Sequence, residues 1–458
     1  MTDAVVLAAP GAATVAALVI PALPSKLMTR GNAVAAILIF ATCAAVLVGE
    51  VGASSGASSG ASSGVDSAQH SMEMAMLGVN ATVGMLSALF SPRYLGDRPS
   101  GFFRQGPRWY YLAFYLFWAM LLAIPSSENL GVAWTLIGTS TGVTAALVAY
   151  SGSRRALEAG WKYLILTTLG LVVALLGILI VYGATEHADE SLSALDFTAI
   201  EHAAPAMSTP VAATALVLLT AGFAAKIGWA PVHHWLPDAH SQAPAPVSAL
   251  LSAALLPTVV LVAWRTTVAM APALAGPQGV LLLAFGLVSL AVAVPFLWSP
   301  LPIKRVLAYS SLEHMGVIAV GLGFGNSLAL VGVLIHICGH ALAKSLGFYS
   351  TIWLLEQHPG AATHPLRDAV RTNRGAAAVL GLSLAALAGL PPSPLFLSEL
   401  LILAGGIAAG QYVVVAIVIA LLALGFVGIT RQGLDAMLAP GGGRSMHRAR
   451  AAGAEVAS

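Results

Sequence analysis

The chain has 458 residues, 58% of them hydrophobic and only 9% charged, with a formal net charge of +2. Soluble domains carry roughly 25% charged residues, so this composition excludes an ordinary soluble globular protein. Two cysteines in separate apolar stretches, Cys43 and Cys338, argue against a disulfide framework or a thiolate metal site, and no basic stripe suggests a nucleic-acid partner.

A helix needs about 20 apolar residues to cross the hydrocarbon of a bilayer. Thirteen spans meet that demand, near 4–22, 32–50, 71–91, 108–124, 130–150, 160–183, 209–229, 245–264, 278–298, 304–325, 328–355, 375–408 and 411–430. The expected fold is an all-α polytopic membrane bundle. The first span lacks a basic start and is followed by Lys26 and Arg30, which is not the pattern of a cleavable signal peptide. The Gly-Ala-Ser-Ser repeat at 52–64 reads as a flexible outside linker within an N-terminal unit, 1–107. The polar, glycine-rich tail, 431–458, reads as disordered and cytoplasmic.

Loop charges give an orientation. Lys26 and Arg30 follow span one; Arg93, Arg98, Arg104 and Arg108 follow span three; Arg154 and Arg155 follow span five. Lys304 and Arg305 follow span nine, and Arg367, Arg371 and Arg374 follow span eleven. The alternate loops hold almost no Lys or Arg, with Arg265 the exception, and the 184–208 loop carries Glu186, Asp189, Glu190, Asp196 and Glu201. The positive-inside rule then places the N-terminus outside and the tail, with Arg431, Arg444, Arg448 and Arg450, in the cytoplasm.

Spans four to eight (108–266) and nine to thirteen (275–430) form two sets of five. An odd number makes equivalent units insert in opposite directions, the pattern of an inverted repeat. The fourth span of each set is interrupted. In span seven, Lys226 is followed by Gly228, Pro231, His233, His234, Pro237, Asp238 and His240, then by Pro244 and Pro246. In span twelve the run Gly389-Leu-Pro-Pro-Ser-Pro394 precedes Glu399. A proline-broken helix frees backbone carbonyls, which at membrane depth need protein or water partners.

Ionisable residues at that depth are expensive and mark substrate or ion pathways. Of five lysines, Lys162, Lys226, Lys304 and Lys344 lie in or at the edge of spans. His336, His340 and Lys344 are spaced i, i+4, i+8 on one face of span eleven, and Glu313 and His314 sit in span ten. With Glu399 these residues predict a proton pathway, histidine being able to relay protons near neutral pH. Glu158 and Lys162 are spaced i, i+4 at a helix end and fit either that pathway or a surface pair; Lys304 and Arg305 fit either the pathway or topology signals. The histidine pair lacks the glutamate of a His-Glu-x-x-His site, so no metal is expected.

The segments Lys226–Ser248, Ile303–Ser311, His336–Lys344 and Gly389–Glu399 resemble the antiporter-like subunits of respiratory complex I and related sodium/proton antiporters. Pro237-Asp-Ala-His-Ser-Gln-Ala-Pro244, Tyr309-Ser-Ser-Leu-Glu-His-Met-Gly316 and Ala156-Leu-Glu-Ala-Gly-Trp-Lys-Tyr163 are most similar to component F of hydrogenase-4 and formate hydrogenlyase complexes. The resemblance runs from about 125 to 410. It implies a proton-translocating subunit of the inner (plasma) membrane with no cofactor or catalytic centre of its own. Its implied partners are other membrane subunits and peripheral nickel–iron hydrogenase and iron–sulfur subunits. By position, Lys226 matches the family's switch lysine, His336, His340 and Lys344 its hydrated relay, and Glu399 its outlet residue.

Three departures stand out. Related hydrogenase subunits carry a glutamate in span five, where this chain reads Trp134-Thr-Leu-Ile-Gly138-Thr-Ser-Thr141. The basic residue of span eight is missing between Ala249 and Pro257, and a fourteenth span is replaced by the polar tail. Glu128, Glu158 or a partner subunit is expected to supply the missing acid, or pumping is weakened or lost. A non-pumping scaffold, a sodium/proton antiporter subunit and a membrane partner for inorganic-carbon uptake are the alternatives.

Overall fold

The computed structural model describes residues 7–56, 64–96, 106–185, 192–274 and 279–440. Arg98, Arg104, Glu186, Asp189, Glu190, Arg444, Arg448 and Arg450, and positions 57–63 of the linker, lie outside the described residues. Among the described residues the chain is helical, with no sheet beyond an isolated bridge between Asn129 and Asp196. Ten helices are long and apolar enough to cross a membrane. The chain is a polytopic helical membrane protein.

Three helices come first: α1 (Ala8–Ala22), α2 (Ser25–Gly56) and α3 (Gly64–Leu95). The backbone of α2 stays helical into the start of the Gly-Ala-Ser-Ser repeat. Buried polar side chains fasten α3 to the rest, as is common where lipid supplies no hydrophobic drive between helices. Asn80 Nδ2 donates to the Leu121 carbonyl at 2.6 Å and to Thr258 at 3.1 Å, and Ser87 Oγ lies 2.8 Å from Tyr349 OH.

The next set comprises α4 (Pro107–Ala123), α5 (Leu130–Val148), α6 (Arg154–Thr185), a short α7 (Phe197–Ala203) and α8 (Thr209–Ile227). It continues with the short α9 (Trp235–Gln242) and α10 (Ala245–Ala269), which contains a π-helical turn at Leu251–Leu255. The last set comprises α11 (Val280–Trp298), α12 (Ile303–Phe324), α13 (Ser327–Gln357), the short α14 (Ala369–Thr372), α15 (Arg374–Leu387), α16 (Pro394–Ala408) and α17 (Tyr412–Leu438). The side chains of Asn129, Asn326, Asn373 and Ser393 cap α5, α13, α15 and α16 by accepting a backbone N–H three residues on.

The long α17 passes the boundary that the polar composition sets at 431. Its continuation buries Ile429, Gln432 and Ala436 at helical spacing, and Gln432 Nε2 donates to the carbonyls of Leu297 and Ser299. Arg265, the exception in the loop-charge pattern, is buried in α10, where its Nε lies 3.2 Å from a Glu73 carboxylate oxygen and Nη1 donates to the Ser127 carbonyl at 2.7 Å. It is a structural ion-pair residue, which is why it breaks the pattern.

α10 and α12 are the most enclosed helices and meet through the Ser252–Ser311 hydroxyl pair at 2.8 Å. Around them, two helix pairs approach closely because glycine faces the neighbour. A Cβ on Gly222 of α8 would lie 2.6 Å from the Gly170 carbonyl oxygen of α6, and one on Gly405 of α16 would lie 2.7 Å from Ala329 Cβ of α13. These contacts set both broken helices against their partners.

Candidate functional site

The first break follows Lys226. Gly228 takes φ 81°, a left-handed turn that ends α8, and Ala230–Pro231 is a cis peptide. The freed backbone is satisfied within the protein. Trp235 Nε1 donates to the Ala225 carbonyl at 2.7 Å, and the Ala230 N–H donates to Ser289 Oγ at 3.0 Å. Lys226 is fully buried. Its Nζ donates to Thr141 Oγ1 at 2.7 Å and to Tyr163 OH at 2.5 Å, and stands 4.7 Å from the centre of the Tyr163 ring. Tyr163 OH in turn lies 2.7 Å from Thr144 Oγ1. Among the described residues no carboxylate pairs with Lys226.

Gly138 is one helical turn from Thr141, and a Cβ there would meet nothing within 4 Å. The two acids expected to replace the missing glutamate sit elsewhere. Glu158 is exposed and pairs with Lys162 at 2.6 Å. Glu128 lies near Arg265 and Glu73 and lines a 260 Å³ cavity with them.

The short α9 is pinned from both halves. Asp238 receives Lys162 of α6 at 3.3 Å and Arg305 of α12. Lys304 Nζ donates to the Ala243 carbonyl at 2.6 Å, just past the end of α9, so in this structure it anchors the helix C-terminus. His240, also on α9, is buried with neither ring nitrogen in a well-formed hydrogen bond; it stacks on Phe348 at 5.7 Å. Trp235 packs against both Tyr163, at 4.9 Å, and His240, at 6.5 Å, and so links the Lys226 site to the histidines.

Beyond His240, further buried ionisable side chains lie on α12 and α13. Lys344 Nζ donates to the Leu307 carbonyl at 2.5 Å and to Ser310 Oγ. His340 has neither ring nitrogen bonded and lies 5.4 Å from His314, centre to centre. His314 Nδ1 is 3.0 Å from His336 Nε2, and His336 Nδ1 is 2.8 Å from Ser398 Oγ.

The second break lies beside this line. α15 ends at Leu387, Pro391–Pro392 is cis, and Gly389 takes φ 72°. A side chain at Gly389 would strike the Glu399 carboxylate, 2.8 Å from its Cβ position, so the glycine makes room for that acid. Glu313 lies against Gly425 of α17 in the same way. His314, His336 and Glu399 each place one donor atom within 4.8 Å of the others, the one such set among the described residues. The two facing histidine nitrogens are already joined by their mutual hydrogen bond.

A family described as the transmembrane part of NADH:quinone oxidoreductases and Mrp antiporters matches residues 111–425, a stretch containing both breaks and every residue of this line. The chain belongs to the NADH:quinone oxidoreductase/Mrp antiporter transmembrane family.

Among its relatives is a hydrogenase-4 component F homolog of Methylacidiphilum infernorum, 32% identical over 334 residues, covering 71% of this chain and 69% of that protein. NADH-quinone oxidoreductase subunit N of Desulforudis audaxviator is 31% identical over 351 residues, covering 74% of this chain and 66% of that one. The matched region thus spans about two thirds of each relative. A chain in the structure of the membrane-bound sulfane sulfur reductase, an archaeal respiratory membrane complex, shares the fold with a TM-score of 0.80 at 20% identity, covering 96% of this chain and 90% of that one.

Of the candidate pathway residues, the structure gathers buried His314, His336, His340, Lys344 and Glu313 and part-buried Glu399 into one region. It places Lys226 apart, across Trp235, and leaves Glu158 on the surface. The sequence pattern did not single out Tyr163, Thr144, Ser310 or Ser398. Each is a hydroxyl close in sequence to a residue or motif that the pattern did mark, and that adjacency was the available signal.

Proposed function

We propose that this chain is a proton-translocating membrane subunit of a hydrogenase-4-like respiratory complex. The observation that carries the reading is the set of buried groups His240, Lys344, His340, His314 and His336, the last two hydrogen-bonded in series to Ser398, bordered by two interrupted helices. Such groups at membrane depth have no packing advantage over apolar ones, and water-mediated transfer uses what they offer. The partners in this reading are further membrane subunits and peripheral nickel–iron and iron–sulfur subunits, which supply the redox energy. The names of the relatives support a multi-subunit setting. The two sets of five spans act as inverted repeats, 108–266 and 275–430, an idea supported by the matching glycine contacts of α6 with α8 and of α13 with α16. The N-terminus is outside and the C-terminus cytoplasmic, from the loop charges.

One observation favours a second reading, a scaffold that has lost pumping. Lys226 is held by neutral hydroxyls alone, and Gly138 stands where related hydrogenase subunits carry a carboxylate. Redox-driven proton uptake by vesicles containing the intact complex separates the two. On the pumping reading, Lys344→Ala lowers proton uptake by on the order of tenfold or more at unchanged complex abundance. Equal uptake in wild type and variant supports the scaffold.

A further inference from the structure

Ser398 has one proton, and that proton is already engaged. Its hydroxyl donates to the Leu395 carbonyl at 2.7 Å, one turn back in α16, and a carbonyl has no proton to return. The same oxygen lies 2.8 Å from His336 Nδ1. Ser398 Oγ therefore accepts there, and His336 Nδ1 carries the hydrogen. In the neutral ring Nε2 is then an acceptor. It faces His314 Nδ1 at 3.0 Å, so His314 donates. His314 Nε2 is left as the open end of the sequence, buried beside the Leu387 backbone where α15 stops and without a well-formed hydrogen bond.

We propose that Ser398 is a positioning residue that holds His336 in its Nδ1–H form, which primes proton passage from His314 to His336 and closes the step beyond. This deepens the proton-transfer reading and rests on it. The balance is simple. A proton gained at His314 Nε2 is matched by loss of the Nδ1 proton to His336 Nε2. His336 is then protonated on both nitrogens, with Nδ1–H still against Ser398. Ser398 can take that proton only by releasing its own, and the Leu395 carbonyl cannot accept it. Onward passage therefore requires the hydroxyl to turn from Leu395 to another acceptor. Glu399, the next residue, offers a carboxylate oxygen within 4.8 Å of one ring nitrogen of each histidine. Ser398 is thus a stop while its hydroxyl faces Leu395, and onward passage waits on its rotation.

The test uses the full chain in its intact complex, with isotope-labelled histidine read by solid-state NMR in lipid bilayers. The His336 signals are assigned by their loss in His336→Gln. Wild type is expected to show His336 as Nδ1–H. Ser398→Ala, which removes the acceptor, is expected to shift the tautomer ratio about fivefold towards Nε2–H, the worth of one ordinary hydrogen bond. Ser398→Thr, which keeps a hydroxyl, is expected to restore it. Redox-driven proton uptake is expected to fall in Ser398→Ala and not in Ser398→Thr, because only a hydroxyl can pass the proton on. Nε2–H in wild type, or an unchanged tautomer in Ser398→Ala, overturns the proposal. If His336→Gln leaves redox-driven proton uptake unchanged, the proton-transfer reading falls, while the tautomer result still decides what Ser398 does to His336.

Discussion

The two broken helices keep their ionisable groups in different company. At the first break a single lysine is held by two neutral hydroxyls, and its helix is sealed by Trp235 and Ser289. At the second break two carboxylates and three histidines crowd together, several with unbonded polar atoms. The glycine contacts that bring the helices together are alike in both places. The scaffold is therefore shared and the chemistry is not. At the second break His314, His336 and Ser398 are hydrogen-bonded in series, whereas Lys226 meets only hydroxyls.

The largest effect should come from breaking the shared scaffold. A Cβ at Gly170 would lie 2.3 Å from Ala225 Cβ and 2.8 Å from the Gly222 carbonyl oxygen. Overpacking on this scale costs about 1–3 kcal/mol or more. Gly170→Leu should sharply reduce the folded chain in membranes, as measured by abundance and thermal unfolding. Gly183→Leu on the same helix, where a Cβ meets nothing within 4 Å, should leave both unchanged.

Gly138→Glu should make the first break more like the second. Space is open there, and the new carboxylate starts one turn from Thr141, which binds Lys226. A hydrogen bond to a charged group is worth about 1.5–3 kcal/mol. Proton yield per turnover should rise severalfold, and Gly138→Glu with Lys226→Ala should lose the gain. No change in the single variant, with wild type already at full yield, would remove Gly138 from the account.

The smallest effect belongs to Glu158. It is exposed and paired to Lys162. Glu158→Ala should leave proton uptake and abundance at wild-type values, since exposed ion pairs contribute little. A clear loss of uptake would bring the Lys162–Asp238 network into the pathway.

These residues also show what the sequence could convey. The helices formed close to where apolar length placed them, and both interruptions fell where glycine and proline predicted. The spacing of His336, His340 and Lys344 was legible because helical periodicity fixes a shared face. Their partners were not, because contacts between helices depend on packing that spacing along one chain does not encode. Hence Lys304 fitted either the pathway or a topology signal, and spacing gave no hint that its amino group reaches the Ala243 carbonyl. Glu158 read as one of the acids able to replace the missing glutamate, and the helix turns it to the surface. Ser398 carried no signal of its own until His336 was seen beside it.

The central claim is that protons pass through this chain by way of both breaks. It is tested most directly by redox-driven proton uptake in vesicles containing the intact complex, comparing wild type with Lys226→Ala at matched complex abundance and matched turnover. The account predicts a fall in proton uptake of on the order of tenfold or more while abundance and redox turnover persist. Undiminished proton uptake in Lys226→Ala would contradict it.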